Sequence, residues 1–201
     1  MTARVIPLRA EDAPEVPEVD PALQAQIAAA VSGDAQAAHA LVLRVLPRVR
    51  NLVRYLVRGD DIDDLSQDAL LKILERLHSY RSEGRFEAWV DGVTMRVTLR
   101  NLQKKRADVK RFPRSEVDEL ASRGTGAHGS ATYASRRRAV DALDQLPDAQ
   151  RLALVMHHVL GMTVSEIGSE LSTPAETIRS RLRVGMGQMR ALLGALRDGE
   201  P

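Results

Sequence analysis

The 201 residues are enough for one large domain or two small ones, and their 44% apolar content is that of a globular chain. Cysteine is absent, which excludes disulfides, thiolate metal sites and a cysteine nucleophile, and the net charge of +2 excludes a general polycation. Aromatics make up only 3%, a palette suited to helix bundles rather than sheets.

Residues 1–20 carry Pro7, Pro14, Pro17 and the acids Glu11, Asp12, Glu15, Glu18 and Asp20, the composition of a flexible tail. They lack the continuous apolar stretch of a secretory signal, and no run approaches the roughly 18 apolar residues of a membrane span. A soluble cytoplasmic protein without membrane insertion is expected. Asp20 and Pro21 open a helix over 21–31, which Ser32-Gly33-Asp34 interrupts. Leu41, Val42, Val45, Leu46, Val49, Leu52, Val53 and Leu56 then recur at helical spacing. Pro47 predicts a kink or a boundary just before it.

Gly59 ends that element, and the acids at 60–64 suit the positive end of a following helix. Its apolar stripe is Leu65, Ala69, Leu70, Ile73, Leu74 and Leu77. Residues 80–84 form a loop. A further helix over about 85–106 has Phe86, Trp89, Val90, Val93, Val97 and Leu102 as candidate core. Between Arg96 and Arg114 only Asp108 opposes a run of Arg and Lys. Such a stretch suits a phosphate backbone, a solvated basic tail being the alternative. Periodicity fades over 107–133, and residues 124–130 have the composition of a flexible linker.

Helices are expected near 135–145, 148–160, 164–171 and 175–196. The segment from Gly161 to Arg183 has helix-turn-helix grammar. Thr163 and Glu166 stand at capping-box spacing. Ile167 and Leu171 face inward on the first helix. Thr173 is positioned to cap the second, with Pro174 at its first position. Ile178 and Leu182 face inward there, leaving Glu176, Thr177, Arg179, Ser180 and Arg183 outward, where Arg can hold guanine or phosphate. A plain helical hairpin with a solvated Arg-rich face is the competing reading.

At this point the chain resembles the sigma-70 family of RNA polymerase sigma factors, extracytoplasmic-function (ECF) group. The resemblance covers roughly 35–106 and 135–193. Residues 143–183, LDQLPDAQRLALVMHHVLGMTVSEIGSELSTPAETIRSRLR, are similar to region 4. Residues 61–80, DIDDLSQDALLKILERLHSY, are similar to region 2.2, and FEAWVDGV at 86–93 matches the helix that follows it.

The resemblance implies an all-α protein of two small helical domains joined by a flexible linker. Its parts would be a tail at 1–20, region 2 at 21–106, a linker at 107–133, region 4 at 134–196 and a tail at 197–201. It implies binding to the β′ clamp helix of core RNA polymerase through Asp61, Asp64, Leu65, Gln67, Asp68, Leu71 and Glu75. It implies contact with melted minus-ten DNA through Tyr80, Arg81, Arg85, Arg96, Arg100, Lys104, Lys105 and Arg106, with the 79–85 loop as the pocket for an unstacked base. The recognition helix would touch the minus-thirty-five element through Thr173, Glu176, Thr177, Arg179, Ser180 and Arg183, and region 4 would touch the β flap. An anti-sigma factor is a further expected partner.

The chain departs from the family pattern at three places. Arg96 stands where Asn is frequent. Val184-Gly185-Met186 replaces Arg-Ala-Arg, and Gly185 and Gly187 each cost about 1 kcal/mol of helix propensity, which predicts fraying or a bend. Ser172 replaces the usual turn Gly. A stand-alone helix-turn-helix regulator with an N-terminal dimerisation or sensing module is the alternative function. Catalysis is not expected: His157 and His158 project about 100° apart on an α-helix, His39, His78 and His128 are scattered, and no Gly-rich phosphate loop follows a strand. No metal or cofactor is implied.

Overall fold

The computed structural model describes residues 20–59, 61–82, 84–111 and 131–198, with side chains 106–111, 131–136 and 195–198 outside that description. The expected acidic tail and most of the expected linker lie outside the described residues. Eight α-helices follow one another among the described residues: α1 (Pro21–Val31), α2 (Ala35–Leu56), α3 (Ile62–Arg76), α4 (Phe86–Arg111), α5 (Ala131–Asp144), α6 (Asp148–Leu154), α7 (Val164–Glu170) and α8 (Ala175–Asp198).

The first four form a bundle. Asp20 caps α1, its carboxylate accepting from the Ala22 and Leu23 amides at 3.0 and 3.3 Å. Asp34 does the same for α2, accepting from Gln36 and Ala37. These bonds satisfy amide groups that a helix start leaves unpaired. Leu41, Val45, Val49, Leu52, Val53 and Leu56 of α2 are buried against Leu65, Ala69 and Ile73 of α3 and Phe86, Val90, Val93 and Leu99 of α4. Thr94 and Thr98 are also fully buried, their hydroxyls donating to the Val90 and Thr94 carbonyls at 2.8 and 2.9 Å. Arg48 of α2 grips Asp91 of α4 with two bonds of 2.6 Å.

Helix α2 runs through Pro47, so of the expected kink or boundary there is no boundary. Pro47 and Leu43, whose carbonyl the proline leaves without its helical donor, both lie on the exposed face. The freed carbonyl side is therefore open to water while the opposite face packs. Helix α4 likewise runs five residues past its expected end, into the stretch read as linker, and α5 begins at Ala131 rather than 135.

The second unit packs α5, α6 and α7 around α8. Helix α6 passes into a single π turn over Val155–Val159 before Gly161 turns the chain at φ 69°. Within that turn the His157 and His158 rings stand edge to face at 4.8 Å. His157 Nδ1 lies 2.8 Å from the Met162 carbonyl oxygen.

Candidate nucleic-acid interface

The helix-turn-helix forms as its caps predict at the first helix. The Thr163 hydroxyl accepts from the Glu166 amide at 3.3 Å, and the Glu166 carboxylate accepts from the Thr163 amide at 2.7 Å. These bonds hold the Glu166 carboxyl below its ordinary range. At the second helix the prediction fails in detail. Helix α8 starts at Ala175, so Pro174 occupies the cap position, and the Thr173 hydroxyl donates back to the Leu171 carbonyl at 3.0 Å. Thr173 is half-buried in the turn rather than presented like its neighbours.

The turn itself is set by a glycine that sequence reasoning passed over. The Thr173 amide donates to the Gly168 carbonyl at 2.8 Å. A Cβ on Gly168 would stand 2.8 Å from the Thr173 carbonyl oxygen, inside the distance real Cβ atoms keep. Ser172 adopts φ 48°, the left-handed region that favours glycine. Ser172→Gly is therefore expected to stabilise the chain by about 0.5–1 kcal/mol. A thermal melt should show a rise of about 2–4 °C for each kcal/mol gained; an unchanged or lower midpoint counts against strain at this residue.

Beyond the turn, Ile178 is fully buried, while Glu176, Thr177, Arg179, Ser180 and Arg183 are exposed along one side of α8. Glu176 accepts from Arg179 at 2.9 Å. The expected fraying at Gly185 does not occur. α8 continues to Asp198, and Gly185 is buried against α6, where an added Cβ would meet Leu154 Cδ1 at 3.1 Å and Gln150 Cβ at 3.2 Å. Close helix approach offsets the propensity cost.

On α3, Asp64, Gln67, Asp68, Leu71 and Glu75 are all exposed. Their spacing of three and four places them on one stripe, with the Leu71 side at 52% exposure. Leu65 does not belong to it. It is 3% exposed and part of the bundle core, because the same periodicity that aligns the stripe turns position 65 inward. Asp61 is diverted too, forming an ion pair with Lys105 of α4.

The candidates at the following loop divide in the same way. Tyr80 is half-buried, its ring 5.2 Å from Phe86 and 5.7 Å from Trp89, and its hydroxyl donates to the Gly84 carbonyl at 2.7 Å. Burial, and secondarily the Glu87 charge, push its hydroxyl pKa up. Phe86 and Trp89 stack at 5.8 Å, so the loop rests on an aromatic base. Arg81 and Arg85 are exposed. Arg96, Arg100 and Lys104 are exposed at four-residue spacing on one face of α4. Arg106 falls outside the described side chains.

Arg151 went unnoticed in the sequence because a lone Arg in a helix reads as solvated. It is 1% exposed, the most deeply placed charged side chain among the described residues. Burial draws its guanidinium pKa down, against the opposing pull of Asp144. It heads the uninterrupted buried run 151–156.

Residues 41–107 match the family model for sigma-70 region 2, and residues 136–189 match that for sigma-70 region 4. The chain belongs to the sigma-70 family. It is a sigma factor of the ECF group, which directs RNA polymerase to promoters; the reading as a stand-alone regulator is not favoured. The ECF RNA polymerase sigma-E factor of Escherichia coli (strain K12) is 26% identical over 161 residues, 75% of this chain and 83% of that one. The ECF sigma factor SigE of Mycolicibacterium smegmatis is 28% identical over 159 residues, 76% of this chain and 60% of its own length. Among solved structures, the sigma factor RpoE of Bartonella quintana, in complex with the anti-sigma factor NepR, superposes with a TM-score of 0.55 at 20% identity, covering 78% of this chain and 96% of that one. This likeness concerns the fold. No helix among the described residues is long and apolar enough to cross a membrane.

Proposed function

We propose that this sigma factor divides its work between its two helical units, with residues 21–106 acting as region 2 and residues 134–196 as region 4. The α3 stripe of Asp64, Gln67, Asp68, Leu71 and Glu75 docks on the β′ clamp helix, its carboxylates meeting a basic partner around the exposed Leu71. The α4 face of Arg96, Arg100 and Lys104, with Arg81 and Arg85 at the loop, follows the phosphates of melted minus-ten DNA. The exposed side of α8 enters the major groove at the minus-thirty-five element. The observation that carries this reading is one chain presenting an acidic–apolar stripe, a basic helix face and a capped helix-turn-helix on separate, exposed surfaces. The factor works without catalysis or a cofactor of its own, and in the cytoplasm, where its polymerase is. An anti-sigma factor is its proposed regulator, as the RpoE relative is seen with NepR.

Run-off transcription with core polymerase and a promoter library tests the activity and reads the specificity together. Failure of the folded protein to bind core polymerase overturns the assignment. Arg179→Ala and Arg183→Ala are each expected to reduce promoter-specific transcription about 5- to 150-fold, as loss of about 1–3 kcal/mol of base or phosphate contact implies. A base contact shows as relaxed preference at one position. A phosphate contact shows as a uniform loss with a salt dependence shallower by about one unit.

A further inference from the structure

The first helix is tied to the loop that follows α3. Leu23 and Ile27 are buried in the bundle, which fixes the rotation of α1 and leaves Gln24, the neighbour of Leu23, half-buried beside that loop. Gln24 Nε2 donates to the Ser82 hydroxyl at 2.8 Å, and the hydroxyl donates back to Gln24 Oε1 at 3.0 Å. One carboxamide thus uses both its donor and its acceptor on a single hydroxyl 58 positions away in the sequence.

Ser82 has need of such a tie. Its φ of 58° lies in the left-handed region that residues with a side chain rarely adopt. Such a residue keeps its conformation only where its surroundings hold it, and residues so held cluster at ligand-binding sites. The loop is held from its other side as well. The Tyr80 hydroxyl donates to the Gly84 carbonyl at 2.7 Å, and the Tyr80 ring rests on Phe86 and Trp89. The Ser82 side chain also acts on the Tyr80 hydroxyl, opposing part of the upward pull of burial on its pKa. Tyr80 and Ser82 are therefore both tied down, while Arg81 between them stands exposed.

We propose that Gln24 of α1 is a positioning residue for base selection in the minus-ten element, holding Ser82 and through it the loop that receives the unstacked base. The inference rests on the reading of the 79–85 loop as the pocket for that base. A base taken out of the stack is selected by groups set at hydrogen-bonding distance from its edge. Such selection depends on where the pocket wall stands, whereas the phosphate contacts of Arg96, Arg100 and Lys104 lie on α4 and do not involve Ser82. Gln24 acts only through Ser82. Its loss therefore flattens the preference at one base and leaves the rest of the promoter preference in place.

The test uses holoenzyme assembled from core polymerase and the full chain, with promoters carrying each base in turn at every minus-ten position. Aminopurine, a base analogue quenched by stacking, is placed at the same positions, and a rise in its emission marks the base that leaves the stack. At that position Gln24→Ala is expected to lower the ratio of run-off transcription from the preferred base to that from the next best about fivefold, the weight of one net hydrogen bond. Preferences at the other minus-ten positions and across the minus-thirty-five element are expected to be unchanged. Ser82→Gly removes the same bond and relieves the backbone, so it decides the matter if Gln24→Ala does not fold. It is expected to lose as much as Gln24→Ala, and the double variant no more than either alone. Gln24→Glu, whose carboxylate still accepts from the Ser82 hydroxyl, is expected to keep the wild-type ratio. Unchanged ratios in Gln24→Ala and Ser82→Gly, or a loss spread evenly over both promoter elements, overturn the positioning role while the pocket stands. Wild-type holoenzyme that brightens aminopurine at no position overturns the pocket itself, and the inference with it.

Discussion

Replacing Gly168 by alanine is expected to destabilise the chain by about 2–4 kcal/mol and to abolish promoter-directed transcription. The added methyl would sit 2.8 Å from the Thr173 carbonyl oxygen. That oxygen belongs to backbone, which has no rotamer into which to retreat. The same peptide region is held by the 2.8 Å bond from the Thr173 amide to the Gly168 carbonyl, so relief of the clash stretches that bond. Overpacking costs about 1–3 kcal/mol and a lost hydrogen bond about 1 more. Gly187→Ala is the matched comparison. Its Cβ meets nothing within 4 Å, so helix propensity alone acts and a gain of up to about 1 kcal/mol is expected. Denaturant midpoints of the two variants should move in opposite directions; a neutral Gly168→Ala would show that the turn can relax.

The second large effect concerns the α3 stripe. Asp64→Lys/Asp68→Lys is expected to weaken core polymerase binding at least about 100-fold, since like charges brought together across an interface cost several kcal/mol and each 1.4 kcal/mol is tenfold. Asp64→Asn/Asp68→Asn should fall between this variant and wild type. Both positions are exposed, and Asp64 stands in the first turn of α3, so the lysine variant should lose no more than about 1–2 kcal/mol of stability and stay folded. Fluorescence anisotropy against core polymerase measures the affinities. Equal affinity of the lysine variant and wild type would remove the stripe from the interface.

Helical periodicity and caps made most of the fold legible. Asp20, Asp34 and the Thr163–Glu166 box mark their helix starts, and the core faces of α2 and α3 follow their apolar spacing. The misreadings share a cause. Local propensity points to a helix boundary at Pro47 and fraying at Gly185, whereas the outcome depends on which side of the helix each residue occupies. Pro47 lies toward water, and Gly185 lies against α6. The candidate site was legible to the extent that its residues are solvated. Asp64, Asp68, Arg179 and Arg183 stand outward as their spacing requires. Leu65 was misassigned because family motifs include residues kept for packing as well as for contact. Arg151 and Gly168 could not be found by pattern, because their partners are backbone atoms of other elements, and backbone atoms carry no sequence signature.

The aromatic base beneath the 79–85 loop gives the protein an uneven optical character. Trp89 is its one tryptophan, and it stacks on Phe86 beside Tyr80. From residue 134 onward the sequence contains no Phe, Trp or Tyr at all. Tryptophan emission therefore follows the α1–α4 bundle and is blind to melting of the helix-turn-helix, while far-ultraviolet dichroism sees both. Where the two signals part during unfolding, their separation measures how strongly the halves of the molecule depend on one another, with no label introduced.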